Sequence, residues 1–156
     1  MAKLILMVGI PSSGKSVWAK NYAEENENVI VHSGESVRKT VFGDRATFSG
    51  QSDEDIDILL QQKVLDDLRA GMTVIYDARN IRTKQRKDLL YFFCTCVENL
   101  ETEAVYVKAS LDKAIFNNQK REVLEKAPNN LIENMWKYLS APQISEGWDT
   151  ISVVRS

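Results

Sequence analysis

The stretch GIPSSGKS, Gly9 to Ser16, follows the apolar run KLILMV and precedes VWAKNYAEEN. It matches the pattern G-x-x-x-x-G-K-[ST] between an expected strand and an expected helix, the context in which this pattern forms a phosphate-binding loop. Glycines in such a loop let successive backbone N–H groups turn toward an anion at the positive end of the following helix. The stretch therefore predicts a site for a nucleoside triphosphate.

The pattern also predicts what individual loop residues do. Lys15 is expected to reach the β- and γ-phosphates, and the Ser16 hydroxyl is expected to ligate Mg²⁺. The residues expected to contact the nucleotide are Gly9, Pro11, Ser12, Ser13, Gly14, Lys15, Ser16 and Val17. Because kinases, ATPases and nucleotide-dependent switches share such loops, the rest of the chain must distinguish these classes.

Composition narrows the class of protein. The 156 residues, 44% hydrophobic and 27% charged, suffice for one core, and we expect one domain over residues 1–156. The formal net charge of -2 argues against broad duplex binding, so a nucleic-acid contact would need a local basic patch. No apolar stretch approaches the roughly 20 residues of a membrane-spanning helix. Cys94 and Cys96 lie in the run LLYFFCTCV, which favours buried, reduced thiols and a cytoplasmic, soluble protein.

Hydrophobic periodicity indicates strands that alternate with helices along the whole chain. Strands are expected at the stretches LILMV, VIVH, MTVIYD, TEAVYVKA and ISVV. This alternation predicts an α/β fold: a single P-loop domain with a mostly parallel, five-stranded sheet and helices on both faces. Ligands of such sheets bind beyond the carboxyl ends of the strands.

Several local expectations accompany this fold. The first helix is expected to pack with Val17, Trp18, Tyr22 and Ala23, and the last helix to bury Met135 and Trp136. Ser52 and Ser110 are expected to cap helices, and GDRATFSGQ is expected to be a mobile loop. His32 is expected to have a structural role, since the sequence supplies no metal partners around it.

Acidic and basic residues follow the second and third expected strands. Glu35 could accept a proton from an attacking hydroxyl, and Arg38, three residues on, could hold an anionic acceptor. Both also suit a solvated helix start, which leaves that alternative open. Asp77 ends an apolar strand, where a carboxylate can support the Mg²⁺ shell. The cluster Arg79, Arg82, Lys84, Arg86 and Lys87 suits either a phosphate-rich substrate or a solvated helix start.

The chain resembles the P-loop kinase family that includes the 5'-kinase domain of bacteriophage polynucleotide kinase and small, AAA-like predicted kinases. The resemblance rests on the stretches GIPSSGKSVWA, SGESVR, VIYDARNI, NNQKR and PQISEGWDTISVV, and it covers nearly the whole chain. It implies an adenylate-kinase-like fold with a short lid at about residues 117–130. It also implies ATP as the phosphoryl donor.

The resemblance implies roles for particular residues. Glu35 takes the place of the family's catalytic base, usually aspartate, and Arg38 that of the residue that orients the acceptor. DARN resembles the family's DATN, which places Asp77 near the metal or the acceptor, beside Arg79, and lets Asn80 fix the loop. Arg121 matches the lid arginine that clamps the phosphates, with Lys120 and Lys126 as reserves, and Asn117 stands where the family often has another arginine. EGWD resembles the turn near the adenine, where Trp148 either stacks on the base or anchors the turn.

The resemblance and the basic cluster together predict a kinase that transfers the γ-phosphate of ATP, with Mg²⁺, to the 5'-hydroxyl of a polynucleotide. Lys15, Glu35, Arg38 and Arg121 are the expected catalytic residues. A kinase for a nucleoside, sugar or antibiotic remains an alternative, because the net charge is acidic. A nucleotide-bound switch or regulatory ATPase is a further alternative. The sequence leaves the oligomeric state open.

Overall fold

A computed structural model describes residues 2–42, 53–122 and 126–156. Five strands form one sheet: β1 (Lys3–Val8), β2 (Val29–Ser33), β3 (Thr73–Asp77), β4 (Glu101–Lys108) and β5 (Thr150–Arg155). Their order across the sheet is β2-β3-β1-β4-β5, and every neighbouring pair is parallel. The predicted α/β fold with a five-stranded parallel sheet is confirmed.

Six helices connect or follow these strands in the described chain. They are α1 (Lys15–Glu25), α2 (Gly34–Phe42), α3 (Asp53–Arg69), α4 (Thr83–Cys96), α5 (Leu111–Gln119) and α6 (Asn129–Tyr138). A 3-10 helix, Ile144–Glu146, precedes β5. The predicted cap of α5 is confirmed, since the Ser110 hydroxyl accepts a hydrogen bond from the Lys113 N–H. Among the described helices, none has the length and apolar character to cross a membrane.

The central strand β1 contributes to the core on both faces of the sheet. Leu4 and Leu6 belong to one cluster of buried side chains that also includes residues of α3 and α4. Ile5 and Met7 belong to a second cluster, against which Trp18 and Tyr22 of α1 pack. Strand residues alternate between faces, so a strand covered on both sides is apolar throughout. This burial fixes the position where the phosphate loop begins.

A third cluster joins the phosphate loop to the last two helices. Ile10, directly after the first loop glycine, packs with Ala114 of α5 and Ile132 of α6. All three are at most 2% exposed. Consequently α5 and α6 pack against each other and against the phosphate loop.

Three expectations about burial were wrong. Val17 is 65% exposed and Trp136 is 49% exposed, although both fit the apolar period of their helices. Cys94 is exposed, and only Cys96 packs against the core. In each case the neighbouring residues Ala19, Ile132 and Phe93 already fill the face of the helix that meets the core. The expected cap at Ser52 and the expected loop GDRATFSGQ lie outside the described residues.

Strand register brings the second and third strand ends together. Ser33, the last residue of β2, is paired in register with Asp77, the last residue of β3. The Ser33 hydroxyl accepts a hydrogen bond from the Ser36 N–H at 2.9 Å, which starts α2 directly at the sheet edge. The first turn of α2, which carries Glu35, therefore lies near Asp77 and the loop after β1.

Candidate active site

The phosphate loop requires glycine at its first position. A Cβ atom on Gly9 would lie 2.8 Å from the Ser13 Oγ and 3.0 Å from the carbonyl oxygen of Val107, closer than side-chain carbons come. The Gly9 N–H donates to the carbonyl oxygen of Arg79 at 3.1 Å, which connects the loop to the chain after β3. Space and hydrogen bonding thus fix where the loop leaves the sheet.

Backbone conformation and orphaned hydroxyls mark the same loop as an anion site. Gly14 has a φ of 104° and Ser12 a φ of 62°, both in the left-handed region. The hydroxyls of Ser12 and Ser13 are buried and have no hydrogen-bond partner in the described structure. Buried hydroxyls ordinarily have partners, so a phosphate bound at the start of α1 would supply acceptors for them.

The side chain of Lys15 folds back into its own loop. It is only 9% exposed, and its Nζ donates to the carbonyl oxygen of Ile10 at 3.1 Å. Burial lowers the pKa of Lys15, and the positive charges of Arg79 and Arg121 act in the same direction, while Asp77 opposes them. A bound polyphosphate would supply further negative charge next to this buried ammonium group.

Ser16 and Asp77 form a pair of hard oxygen donors. The Ser16 hydroxyl donates to Asp77 Oδ2 at 2.8 Å, and Asp77 is 6% exposed. Neighbouring ligands of octahedral Mg²⁺, at about 2.1 Å from the ion, are about 3 Å apart, so these two residues fit such an ion. Among the described residues, no group of three or more His, Cys, Asp or Glu could hold a metal, so phosphate oxygens and water would complete the shell.

Glu35 and Arg121, 86 residues apart in sequence, meet at this edge of the sheet. Arg121 Nη2 donates to Glu35 Oε1 at 3.0 Å and to Oε2 at 2.9 Å. Lys39, one turn further along α2, places its Nζ 3.9 Å from Glu35 Oε1. The side chains of Arg121 and Glu35 are 24% and 38% exposed, so a ligand can reach both. Arg38, three residues after Glu35, is half-buried on the same helix.

Two asparagines whose roles the sequence did not indicate connect the end of α5, just before Arg121, to other parts of the chain. Asn117 Nδ2 donates to the carbonyl oxygen of Ser12 at 3.2 Å, so it connects α5 to the phosphate loop. Asn118, 2% exposed, donates to the carbonyl oxygen of Ala127 and accepts from its N–H, at 2.7 and 2.9 Å. In the sequence, Asn117 was notable only because it replaces an arginine that the family often has, and Asn118 only because it is polar near a helix end.

Asn80 fixes the chain after β3. It is fully buried with a φ of 49°, and its Nδ2 donates to the carbonyl oxygen of Met7 at 2.8 Å. Arg79 is half-buried beside the phosphate loop. The turn that carries the predicted acceptor contacts is therefore bonded to β1 as well as to β3.

The basic cluster after β3 separates into parts with different environments. Arg86 is fully buried: its Nε and Nη2 donate to the two carboxylate oxygens of Glu146, each at 2.9 Å. Lys84 is exposed and pairs with Asp88. Arg79 and Arg82 line a groove described below. The expectation of one continuous basic surface is wrong for Arg86, which has become part of the core.

Trp148 anchors a turn and does not lie where a base would stack. It is 3% exposed, and its Nε1 donates to Glu146 Oε1 at 3.1 Å. It precedes the amino end of β5, whereas the phosphate loop follows the carboxyl end of β1. His32 also has a structural partner, since its Nε2 hydrogen-bonds Asp67 of α3.

The sequence matches a known family over most of its length. Residues 4–142 match the family described as an AAA domain. The L-seryl-tRNA(Sec) kinase of Methanococcus maripaludis is 27% identical over 150 residues. That alignment covers 94% of this chain and 56% of the kinase, so the chain spans little more than half of its relative's length.

Solved structures share the fold at lower sequence identity. A chain of the Pnkp1/Rnl/Hen1 RNA repair complex superposes with a TM-score of 0.76 and 22% identity, covering 88% of this chain and 44% of that one. A sugar kinase from Janibacter sp. HTCC2649 gives a TM-score of 0.71 and 13% identity, covering 99% and 86%. Similarities at this level of identity show the shared fold alone. The family match over residues 4–142 shows that the chain belongs to the AAA domain family.

Proposed function

We propose that this protein is an ATP-dependent kinase that transfers the γ-phosphate to the 5'-hydroxyl of a polynucleotide. The observation that carries the proposal is the meeting of Lys15, Glu35 and Arg121 at the carboxyl edge of the sheet. Arg121 hydrogen-bonds Glu35, and both groups act electrostatically on Lys15. A carboxylate next to a triphosphate site has the position of a general base for a hydroxyl acceptor.

In the proposed reaction, the loop N–H groups and Lys15 hold the phosphates, and Glu35 accepts the proton of the attacking hydroxyl. Arg121 donates to Glu35, and the negative charge of a γ-phosphate would attract the same guanidinium. The carboxylate would then be free to act as base, while Arg121 stabilises charge on the transferred group. Mg²⁺, held by Ser16 and Asp77, would neutralise the β- and γ-phosphate oxygens.

Three observations support the choice of a polynucleotide as the acceptor. Arg38 lies in the first turns of α2 with Glu35, and a cation three residues after the proposed base could hold a phosphate of the acceptor. The chain resembles polynucleotide 5'-kinases in the motifs around both residues. The RNA repair complex also contains a chain with this fold.

A second candidate acceptor is a hydroxyl carried by an aminoacyl-tRNA. The similarity to the archaeal L-seryl-tRNA(Sec) kinase, which covers 94% of this chain, favours it. Both candidates carry the hydroxyl on a polynucleotide, so they share a requirement for phosphate contacts beyond the reacting group. They differ in the hydroxyl itself, which an assay separates.

The test is transfer of labelled γ-phosphate from ATP with Mg²⁺ to a panel of acceptors. The panel contains a 5'-hydroxyl oligonucleotide, the same strand already 5'-phosphorylated, seryl-tRNA, gluconate and water. Label on the 5'-hydroxyl strand alone is the expected result. Label on seryl-tRNA would support the second candidate, and label on gluconate would replace both with a small-molecule kinase. If labelled phosphate is released only to water, and the rate of release is the same in Glu35→Gln, the protein is a switch or regulatory ATPase.

A further inference from the structure

A groove lies beside the phosphate loop, between the chain after β3 and the exposed side of α6. It encloses about 500 Å³, within the range of small-ligand sites. Arg79, at its inner end, accepts a hydrogen bond from the Gly9 N–H through its carbonyl oxygen. Leu131 and Met135, which line the groove, also pack against the cluster that contains Ile10, so the groove neighbours the phosphate loop. Tyr138, on the last turn of α6, lines it as well.

The charged groups that line this groove have one sign. Arg79 and Arg82 contribute guanidinium groups, and of the described lining residues none is acidic. Amides are added by Gln85 and Asn134. The first turn of α4 adds its own positive end, since none of the described side chains caps it. A chain with a net charge of -2 thus concentrates positive charge in one groove at its candidate site.

The outer end of the groove offers an aromatic face. Tyr138 is 52% exposed, and the guanidinium carbon of Arg82 lies 5.3 Å from the centre of its ring. Lys137 places its Nζ 5.7 Å from the same ring. An exposed tyrosine flanked by cations, over apolar residues such as Met135, suits a planar ring attached to a phosphate.

From this arrangement we propose that the groove binds the single-stranded segment that follows the acceptor nucleotide. Arg79 and Arg82 contact backbone phosphates, and Tyr138 stacks on a base. A sugar or other small acceptor would end at Glu35 and leave this groove empty. The inference rests on the proposed polynucleotide acceptor and adds to it a contact region on α6 around Tyr138, which no sequence motif indicated.

The basic cluster after β3 supplies matched controls for this proposal. Lys87 is exposed on α4 and does not line the groove, so Lys87→Gln removes a cation of the same cluster without touching the groove. Tyr91, 77% exposed on α4, is likewise outside the groove and controls for the loss of an exposed tyrosine.

The experiment compares two 5'-hydroxyl acceptors: a nucleoside 3'-monophosphate and a single strand of about eight nucleotides. KM and kcat are measured for the wild type, Arg82→Gln, Tyr138→Leu, Lys87→Gln and Tyr91→Leu. We expect Arg82→Gln and Tyr138→Leu each to raise KM for the long acceptor about tenfold, with kcat and the short acceptor little changed. The two controls should behave as the wild type does.

The outcomes separate the groove from the proposed function. If the wild type phosphorylates the long strand and its KM is unchanged in Arg82→Gln and Tyr138→Leu, the groove proposal is wrong and the kinase assignment stands. A KM that rises equally for both acceptors would also contradict it, because the groove would then belong to the acceptor nucleotide itself. If the wild type phosphorylates neither nucleic acceptor, the proposed function fails and the groove proposal fails with it.

Discussion

Two arginine–glutamate pairs of this protein have the same chemistry and opposite environments. Arg86 and Glu146 form a pair whose side chains are 0% and 2% exposed, with Trp148 donating to the same carboxylate. Arg121 and Glu35 form a pair at the candidate active site, with 24% and 38% exposure. The first pair is enclosed by hydrogen-bonding groups of the protein itself, and we call it the buried pair. The second pair is accessible to a ligand, and we call it the open pair.

The difference shows how burial divides structural from functional ion pairs. A buried pair that is fully hydrogen-bonded cannot exchange partners without leaving a charge in the core. A half-exposed pair costs little to separate, because water or phosphate can replace either partner. Arg86 also donates to the carbonyl oxygen of Asn80 at 2.9 Å, so the buried pair supports the turn next to the site.

The largest effect is expected from breaking the buried pair. Arg86→Met leaves the Glu146 carboxylate without its cation, and the free energy of unfolding should fall by about 3–5 kcal/mol. Chemical denaturation measures this loss. In the double variant Arg86→Met with Glu146→Leu, much of the stability should return, because no charge remains buried. A single variant as stable as the wild type would show that the pair does not hold the turn.

Removing the carboxylate of Glu35, in the open pair, should affect catalysis and leave stability nearly unchanged. Glu35→Gln keeps the size of the side chain, and phosphoryl transfer should fall about a hundredfold or more, because the base is lost. Nucleotide affinity should stay near the wild-type value, and the free energy of unfolding should change by less than about 1 kcal/mol. Transfer of labelled phosphate and binding of a non-hydrolysable ATP analogue measure the two effects. Unchanged transfer would remove Glu35 from the proposed mechanism.

The buried pair should also contribute to acid sensitivity. Burial by itself raises the pKa of Glu146, but the hydrogen bonds from Arg86 and Trp148 outweigh it and hold the pKa below its ordinary value. Stability from this group is therefore complete above the ordinary glutamate pKa of about 4.3 and is lost as pH falls through the lower, folded-state pKa. The stability difference between the wild type and Glu146→Gln should narrow in that acidic range. Thermal unfolding at a series of pH values would show a constant difference if the prediction is wrong.

The smallest effect is expected for the stability of the protein when the open pair is broken. Arg121→Gln should change the free energy of unfolding by less than about 1 kcal/mol, and added salt should reduce even that difference through screening. Lys84→Gln, which breaks the exposed pair with Asp88, is the matched control. Denaturation curves at low and high salt measure both. If Arg121→Gln lowers the free energy of unfolding as much as Arg86→Met does, the two pairs do not differ in their contribution to stability.

The sequence predicted the parts of the structure that depend on local pattern. The loop from Gly9 to Ser16 and the alternation of strands and helices follow from glycine spacing and apolar periodicity, and both are present. The proximity of Ser16 and Asp77 follows from parallel strands that end at one edge. Glu35 and Arg121 were assigned to one site through a family resemblance, but their direct hydrogen bonds were not predicted.

Long-range polar contacts were beyond the reach of local pattern. Arg86 was grouped with its basic neighbours, because a sequence does not show which cation of a cluster has a carboxylate 60 residues away. The burial of Trp148 follows from that same pair. The exposure of Cys94 and Trp136 depends on which side of each helix meets the core, and apolar residues on both sides left that undecided.

The contacts between Asn118 and Ala127 have a consequence for the evolution of chain length. Two hydrogen bonds join these residues across nine positions, so they hold the two ends of the intervening segment close together. The entropy of closing a loop grows only slowly with its length, by about 0.6 kcal/mol for a doubling. Insertions between Arg121 and Ala127 would therefore lengthen the chain at a small cost in free energy of folding, because the two hydrogen bonds still join the ends.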